Sequence, residues 1–252
     1  MSGAGILRAL PPVFVHAQTP CSDAAARGSA HRRAMSAAHP LAIALERGLR
    51  SIELELPAAA HAQLLRYLDE MARWNTAYNL TAIRAPGEMV IRHLLDSLVL
   101  LPVLRALPAF AQRRLLDVGA GAGLPGIPLA IAAPELAVTV LDSNGKKARF
   151  MRHVQRTLAL ANVEVAETRV EAFAPATPYA IIVSRAFASL ADFFAATGPL
   201  LAAGGVWVAM KGKLDAAELA AVPAAVDIRE TRRLRVPGLD EERHAVVAYL
   251  KP

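Results

Sequence analysis

The chain has 252 residues, enough for one large domain or a domain with an appendage, and its 54% hydrophobic and 20% charged content fits a soluble globular protein with a core. A net charge of +6 suits an anionic partner, nucleic acid being the obvious candidate, or simply a basic surface. The single cysteine, Cys21, excludes an intramolecular disulfide, a cysteine metal cluster and the cysteine-activated methylation of pyrimidine C5 in the body of the chain.

Residues 1–34 are rich in Ala, Ser, Pro and Arg without periodicity, so disorder is expected there, or a translation start that belongs at Met35. The opening GILRALPPVFVHAQTPC has two prolines within its apolar stretch and only Arg8 ahead of them, which argues against a signal peptide. No apolar run approaches the ~18 residues of a membrane span. A cytoplasmic protein without membrane contact is the expectation.

From Leu56 to Trp74 the apolar residues Leu64, Leu65, Leu68, Met71 and Trp74 recur at three and four, the face of one helix, which the turn-prone TAYNLT should end near Asn75. A second helical pattern spans 88–107, with Met89, His93, Leu94, Ser97, Leu98 and Leu101 on one side. Residues 35–110 therefore form a helical front segment, packed on a main domain over 111–252.

In that main domain β-rich runs alternate with helical ones. Strands are expected at 113–119, 136–142, 163–168, 179–184 and 204–211, and helices at 126–133, 145–160, 189–202 and 214–222. Such alternation predicts a parallel sheet with helices on both faces. Two more strands, 226–236 and 243–251, are separated by little more than PGLDEE, too short for a parallel crossover, so the pair is antiparallel. The fold class is α/β: a Rossmann-like S-adenosylmethionine (AdoMet)-dependent methyltransferase fold, a mostly parallel seven-stranded sheet with an antiparallel last strand. A plain dinucleotide fold usually ends on a sixth parallel strand.

The run DVGAGAG after the first strand is a ligand loop. Its glycines Gly119, Gly121 and Gly123 allow a sharp turn and a close approach of ligand to backbone, and the following helix points free N–H groups at that ligand. The spacing of Gly121, Gly123 and Gly126 also fits a nicotinamide dinucleotide, so spacing alone leaves an NAD(P)-dependent oxidoreductase open. Asp142 stands 23 residues after Gly119 and could accept ribose hydroxyls of either cofactor. Asp117 inside the motif points to AdoMet, because it can orient the loop and meet a methionine ammonium, whereas it would repel a pyrophosphate. A non-catalytic RNA-binding module is a third reading.

The strings RWNTAYNLTAIR (73–84), MVIRHLLDSL (89–98), LLDVGAGAGLPGIPLAI (115–131), VLDSNGKKARFM (140–151), RVEAF (169–173) and SRAFASL (184–190) closely resemble the RsmG (GidB) family, from about residue 40 onward. That resemblance implies a bacterial enzyme that methylates N7 of one guanine in 16S ribosomal RNA, with AdoMet as cofactor and the small ribosomal subunit as partner. It implies AdoMet contacts at Gly119 and Leu124, the ribose at Asp142, the adenine at Val170 and Glu171, and a pocket completed by Arg185.

Guanine N7 carries a lone pair and no proton. Its methylation needs alignment rather than a general base, so no catalytic acid–base pair and no metal are expected. The chain accordingly has S-R-A-F after the fourth strand, not the Asn/Asp-Pro-Pro-Tyr/Phe motif of amino-methylating enzymes. Phe187 could stack on the base or belong to the core. RNA contact should be electrostatic first, with candidates Lys211, Lys213, Arg84, Arg92, His93 and the set Arg232, Arg233 and Arg235. N7 lies on the major-groove edge, so the target base must be looped or splayed out. A monomer is expected.

Overall fold

The computed structural model describes Met1, residues 39–185 and residues 187–251. The expected disorder or misplaced start at 1–34 and Cys21 lie outside the described residues. His39 to the C-terminus form one compact unit.

The front of this unit is helical. Helix α1 (Ala42–Ser51) buries Leu45 and Leu49 and was not anticipated, although Leu41, Leu45, Leu49 and Ile52 repeat at helical spacing. Helix α2 (Ala58–Tyr78) buries Leu64, Leu65, Leu68 and Met71 as expected. It does not stop near Asn75. Asn75 stays helical and its buried side chain accepts the Thr81 N–H at 2.9 Å, so the turn is made later, at Asn79 in the left-handed region with φ 50°.

The continuous helix expected over 88–107 is interrupted. It begins as α3 (Pro86–Met89), passes through a π-helical stretch (Val90–Leu95) into the short α4 (Asp96–Leu98), and resumes as α5 (Leu101–Arg105). The expected face is nonetheless the buried one: Met89, His93, Leu94, Ser97, Leu98 and Leu101 are all inside. Periodicity reports which face is buried, but not the extra residue that a π-turn inserts.

Strands β1 (Arg114–Val118), β2 (Ala137–Leu141), β3 (Val163–Ala166), β4 (Tyr179–Ser184), β5 (Leu201–Lys211), β6 (Val226–Arg233) and β7 (His244–Leu250) form one sheet in the order β3-β2-β1-β4-β5-β7-β6. The pairings β1–β2, β1–β4, β2–β3 and β4–β5 are parallel. Strand β7 enters between β5 and β6 and is antiparallel to both. The helices between strands are α6 (Gly126–Ala132), α7 (Gly145–Thr157), α8 (Leu190–Thr197) and α9 (Ala216–Ala220).

Pleating sends alternate residues to opposite faces. Leu115, Ile181, Val206 and Val208 join the core shared with the front helices, α6 and α7. Leu116, Ile182 and Trp207 join a second core under α8, built on Phe193, Phe194 and Tyr179. Both faces are covered, which is why every residue of β4 is buried and why the central parallel strands are mostly apolar.

The front segment also reaches the glycine loop directly. Tyr67 of α2 is fully buried and its hydroxyl donates to the Ala122 carbonyl at 2.8 Å. Replacing Tyr67 by Phe strands that carbonyl in an apolar setting, at a cost of ~1–3 kcal/mol. The expected result is a lower urea midpoint with an unchanged denaturant slope; an unchanged midpoint would show that the bond carries no stability.

Candidate active site

The site lies at the carboxyl ends of β1 to β5, where β1 and β4 part and the strand order reverses, the usual place for a ligand in such a sheet. Two hollows open there. The first, a cleft of about 190 Å³, is lined by Gly119, Leu141, Asp142, Thr168, Val170 and Phe187, with Ser143, Arg169 and Glu171 at its walls. The second, about 380 Å³, is bounded by Arg92, His93, Asp96, Arg185, Lys211 and Arg243. Phe187 borders the first, and its carbonyl accepts from Lys211 of the second at 3.4 Å.

The glycine loop takes its shape from positive φ values at Gly119 (69°), Gly121 (62°) and Gly123 (93°). Nothing stands within 4 Å of a Cβ built on Gly119, so the backbone there is open to a ligand. At Gly126 the constraint is the reverse: a Cβ would come 2.8 Å from Asp117 Oδ2 and 2.6 Å from Val140. The close approach lets the Gly126 N–H donate to Asp117 Oδ2 at 2.7 Å. Asp117 is fully buried, and its Oδ1 has no partner among the described residues. Burial pushes this carboxyl up to about 7; the Gly126 N–H and the nearby Arg185 charge oppose the rise.

Asp142 ends β2 and fastens two loops. Its Oδ2 accepts the Gly121 N–H and its Oδ1 the Asn144 N–H, both at 2.8 Å, with Lys147 Nζ 3.9 Å away. Asn144 in turn caps α7 by accepting from Lys146 and Lys147 N–H groups. Each Asp142 oxygen keeps a free lone pair, and the residue faces the cleft.

The structure sorts the residues expected from sequence. Gly119, Asp142, Val170 and Glu171 come together around the cleft. Asp117, Gly121 and Gly123 shape the loop from behind. Leu124 is 4% exposed and packed in the core, so only its backbone is available to a ligand. Arg185 lies beside the cleft. Its Nη1 is held at 3.1 Å by both Asp96 Oδ2 and the Arg92 carbonyl, at the edge of the second cavity, while its charge still acts on Asp117 of the glycine loop. Ser143, Thr168 and Arg169 were missed; Ser143 adjoins Asp142 and Arg169 adjoins Val170, while Thr168 stands two residues before Val170.

Among the RNA candidates, Arg84 and Lys213 are exposed, and Arg84 donates to Asn79 Oδ1. Arg92 pairs with Glu241 at 2.8 Å and Lys211 with Glu218 at 2.6 Å, so neither is a free cation. His93 is buried, and burial together with Arg185 lowers it to about 4. It is therefore neutral near pH 7 and adds no charge for RNA. Arg232 and Arg233 lie on β6, with Arg235 just after it, around a separate hollow that includes Ser51 and Pro102. Trp74 packs between Tyr78 and His153 at ring separations of 5.2 and 4.9 Å.

A seven-stranded sheet with β7 reversed, a glycine loop after β1 and an acid closing β2 define the class: Rossmann-like AdoMet-dependent methyltransferases. The crystal structure of the glycopeptide N-methyltransferase MtfA shares this fold, with a TM-score of 0.52, 13% identity, and coverage of 66% of this chain and all of that one. The family model for GidB, rRNA small subunit methyltransferase G, matches residues 60–247. Ribosomal RNA small subunit methyltransferase G of Xanthomonas axonopodis pv. citri (strain 306) is 52% identical over 204 residues, 81% of this chain and 92% of that one. Its counterpart in Stenotrophomonas maltophilia (strain K279a) is 51% identical over 212 residues, 82% and 96% of the two chains. The chain belongs to the rRNA small subunit methyltransferase G family, and AdoMet is its methyl donor.

The raised Asp117 carboxyl makes stability depend on pH. Between the unfolded value near 3.8 and the folded value of about 7 the folded protein holds a proton that the unfolded chain has released. Stability without ligand should therefore fall as pH rises through that window and level off above it. Asp117→Asn should flatten this component in urea unfolding at a series of pH values; an unaltered profile would place the titration elsewhere.

Proposed function

We propose that the chain transfers a methyl group from AdoMet to N7 of one guanine in the 16S RNA of the small ribosomal subunit, acting as a cytoplasmic monomer. The observation that carries this reading is the pairing of an acid-edged cleft with an arginine-rich cavity across Phe187, at the ends of the same strands. The family to which the chain belongs supports the RNA substrate. Among the described residues no helix is long and apolar enough to cross a membrane.

The residues present fit AdoMet. Gly119 leaves open space for a ligand at the loop, Asp142 keeps acceptor capacity for ribose hydroxyls, and Val170 with Glu171 walls the adenine end. Buried Asp117, with one unpartnered oxygen, suits a nearby ammonium, which would favour its ionised form. The same carboxylate is unsuited to a pyrophosphate, which disfavours a dinucleotide. AdoMet, when bound, supplies a methyl group already activated by its sulfonium.

The protein's own part is positioning. Guanine N7 has no proton to remove, so the chain needs to exclude water and align the base, an effect worth up to ~7–11 kcal/mol in favourable cases. Phe187 partly packs on Phe193, with ring centroids 5.5 Å apart, which holds it at the boundary of the two hollows. Arg84 and Lys213, both exposed, are assigned to the RNA backbone, while Arg92 and Lys211 reach it only by exchanging their carboxylate partners.

Mapping of N7-methylguanine in 16S RNA from cells with and without the gene tests the reading; one site should disappear, and an unchanged pattern would refute it. In vitro, Gly119→Asp places a carboxylate in the open cleft. It should weaken AdoMet binding at least tenfold, about 1.4 kcal/mol, in calorimetry run below the unfolding midpoint, which the positive φ at this position also lowers. Undiminished affinity would move the donor site elsewhere.

A further inference from the structure

Phe187 stands where the two hollows meet, and a carboxylate outside both of them supports it. Glu218 of α9 borders neither hollow. Its Oε1 accepts the Leu190 N–H at 3.0 Å and pairs with Lys211 Nζ at 2.6 Å. Lys211 ends β5, and its Nζ also donates to the Phe187 carbonyl at 3.4 Å. One oxygen thereby ties α9 to the end of β5 and to the start of α8.

The local sequence predicts a different use for this acid. Asp215-Ala-Ala-Glu218 has the spacing of a capping box, in which the acid at the third helical position bonds back to the N-cap N–H. Asp215 does cap α9, accepting the Ala217 N–H at 3.0 Å. Glu218 turns to α8 instead. There it meets the first helical N–H, which has no acceptor within its own helix, and the positive end of the helix dipole. Leu190 is 1% exposed, so its N–H depends on a protein acceptor, and Glu218 is that acceptor. The side chains of Lys211 and Glu218 are only 15% and 18% exposed, so salt screens this pair less than a surface one.

The rest of the segment has its own anchors. Arg185 is held by Asp96 and the Arg92 carbonyl, and Ser189 caps α8 by accepting the Asp192 N–H at 3.0 Å. Phe187, between them, rests its ring on Phe193 at a centroid distance of 5.5 Å and its carbonyl on Lys211. The ring contact fixes the side chain, Lys211 fixes the backbone, and Glu218 fixes Lys211. Without that carboxylate the lysine's long stem regains its rotamer freedom and the Phe187 carbonyl loses a steady donor.

We propose that Glu218 is a positioning residue that, through Lys211 and the Leu190 N–H, holds Phe187 and the start of α8 in the geometry methyl transfer requires. The inference rests on the reading of this chain as an RNA methyltransferase. Glu218 itself touches neither RNA nor AdoMet. Its removal deletes a negative charge beside Lys211, so RNA should bind no more weakly while turnover slows. A residue that merely stabilised the fold would not divide the two in this way.

Turnover and binding are measured apart. The kcat is taken at saturating AdoMet with small ribosomal subunits from cells lacking the gene, subunit affinity is measured without AdoMet, and hydrogen exchange of the Leu190 amide is followed on the protein alone. Glu218→Ala should lower kcat about tenfold, with subunit affinity no weaker than wild type and Leu190 exchange about tenfold faster. Glu218→Gln keeps an oxygen for the Leu190 N–H but no charge for Lys211, so its kcat should fall by only about threefold, with Leu190 exchange near wild type. Wild-type kcat or wild-type Leu190 exchange in Glu218→Ala would overturn the proposal, as would a loss of subunit affinity matching the loss of kcat. Should Glu218→Ala not fold, Glu218→Gln decides alone: a lowered kcat with undiminished affinity supports the proposal, and wild-type kcat overturns it. If wild type transfers no methyl group to guanine N7, the proposed function fails, while Leu190 exchange still tests the tie made by Glu218.

Discussion

Asp117 joins β1 to the first turn of α6 through the Gly126 N–H, and the ligand loop hangs between those two points. The bond needs Gly126 to approach within a distance that a side chain would forbid, and it needs a carboxylate deep in an apolar core. Ionising a carboxyl there is costly, which is why Asp117 is pushed toward neutrality in the protein alone. A cationic ligand group would offset that cost. The loop is fixed on its other side by Asp142, which accepts the Gly121 N–H. Two acids at the ends of adjacent strands therefore set the backbone of the glycine loop.

The front helices are part of this machinery as well as a cover for the sheet. Tyr67 holds the loop at Ala122, and Asp96 reaches the arginines after β4 and before β7. The two contacts address the two hollows separately. The glycine loop and the second hollow thus rest on the same helical segment.

The central strands were legible as apolar runs set off by turn residues, and β4 matches its expected span to the residue; β5 starts three residues earlier than expected, and the polar β6 ends three residues earlier. The acid–glycine loop was legible because few residue types satisfy its backbone. The missed and shifted features share a different cause. Helix α2 runs three residues past Asn75, into TAYNLT, and the turn forms at Asn79, where the Asn75 side chain accepts the Thr81 N–H. The π-turn leaves no mark on hydrophobic periodicity over so short a stretch. The family resemblance implied a donor-pocket role for Arg185, but no local signal showed that Asp96 and the Arg92 carbonyl hold its guanidinium.

The sequence by itself determined the alternation of strands and helices, the reversed last strand, the glycine loop with its two acids, and the family, since these rest on local spacing and on strings of adjacent residues. The tertiary structure alone decided that β7 enters between β5 and β6, that His93 is buried and neutral, and that Asp96 gathers Arg185 and Arg243 from either side of β5. Those outcomes depend on contacts between residues as many as 147 positions apart, where burial and charge pairing, not local propensity, choose the partner.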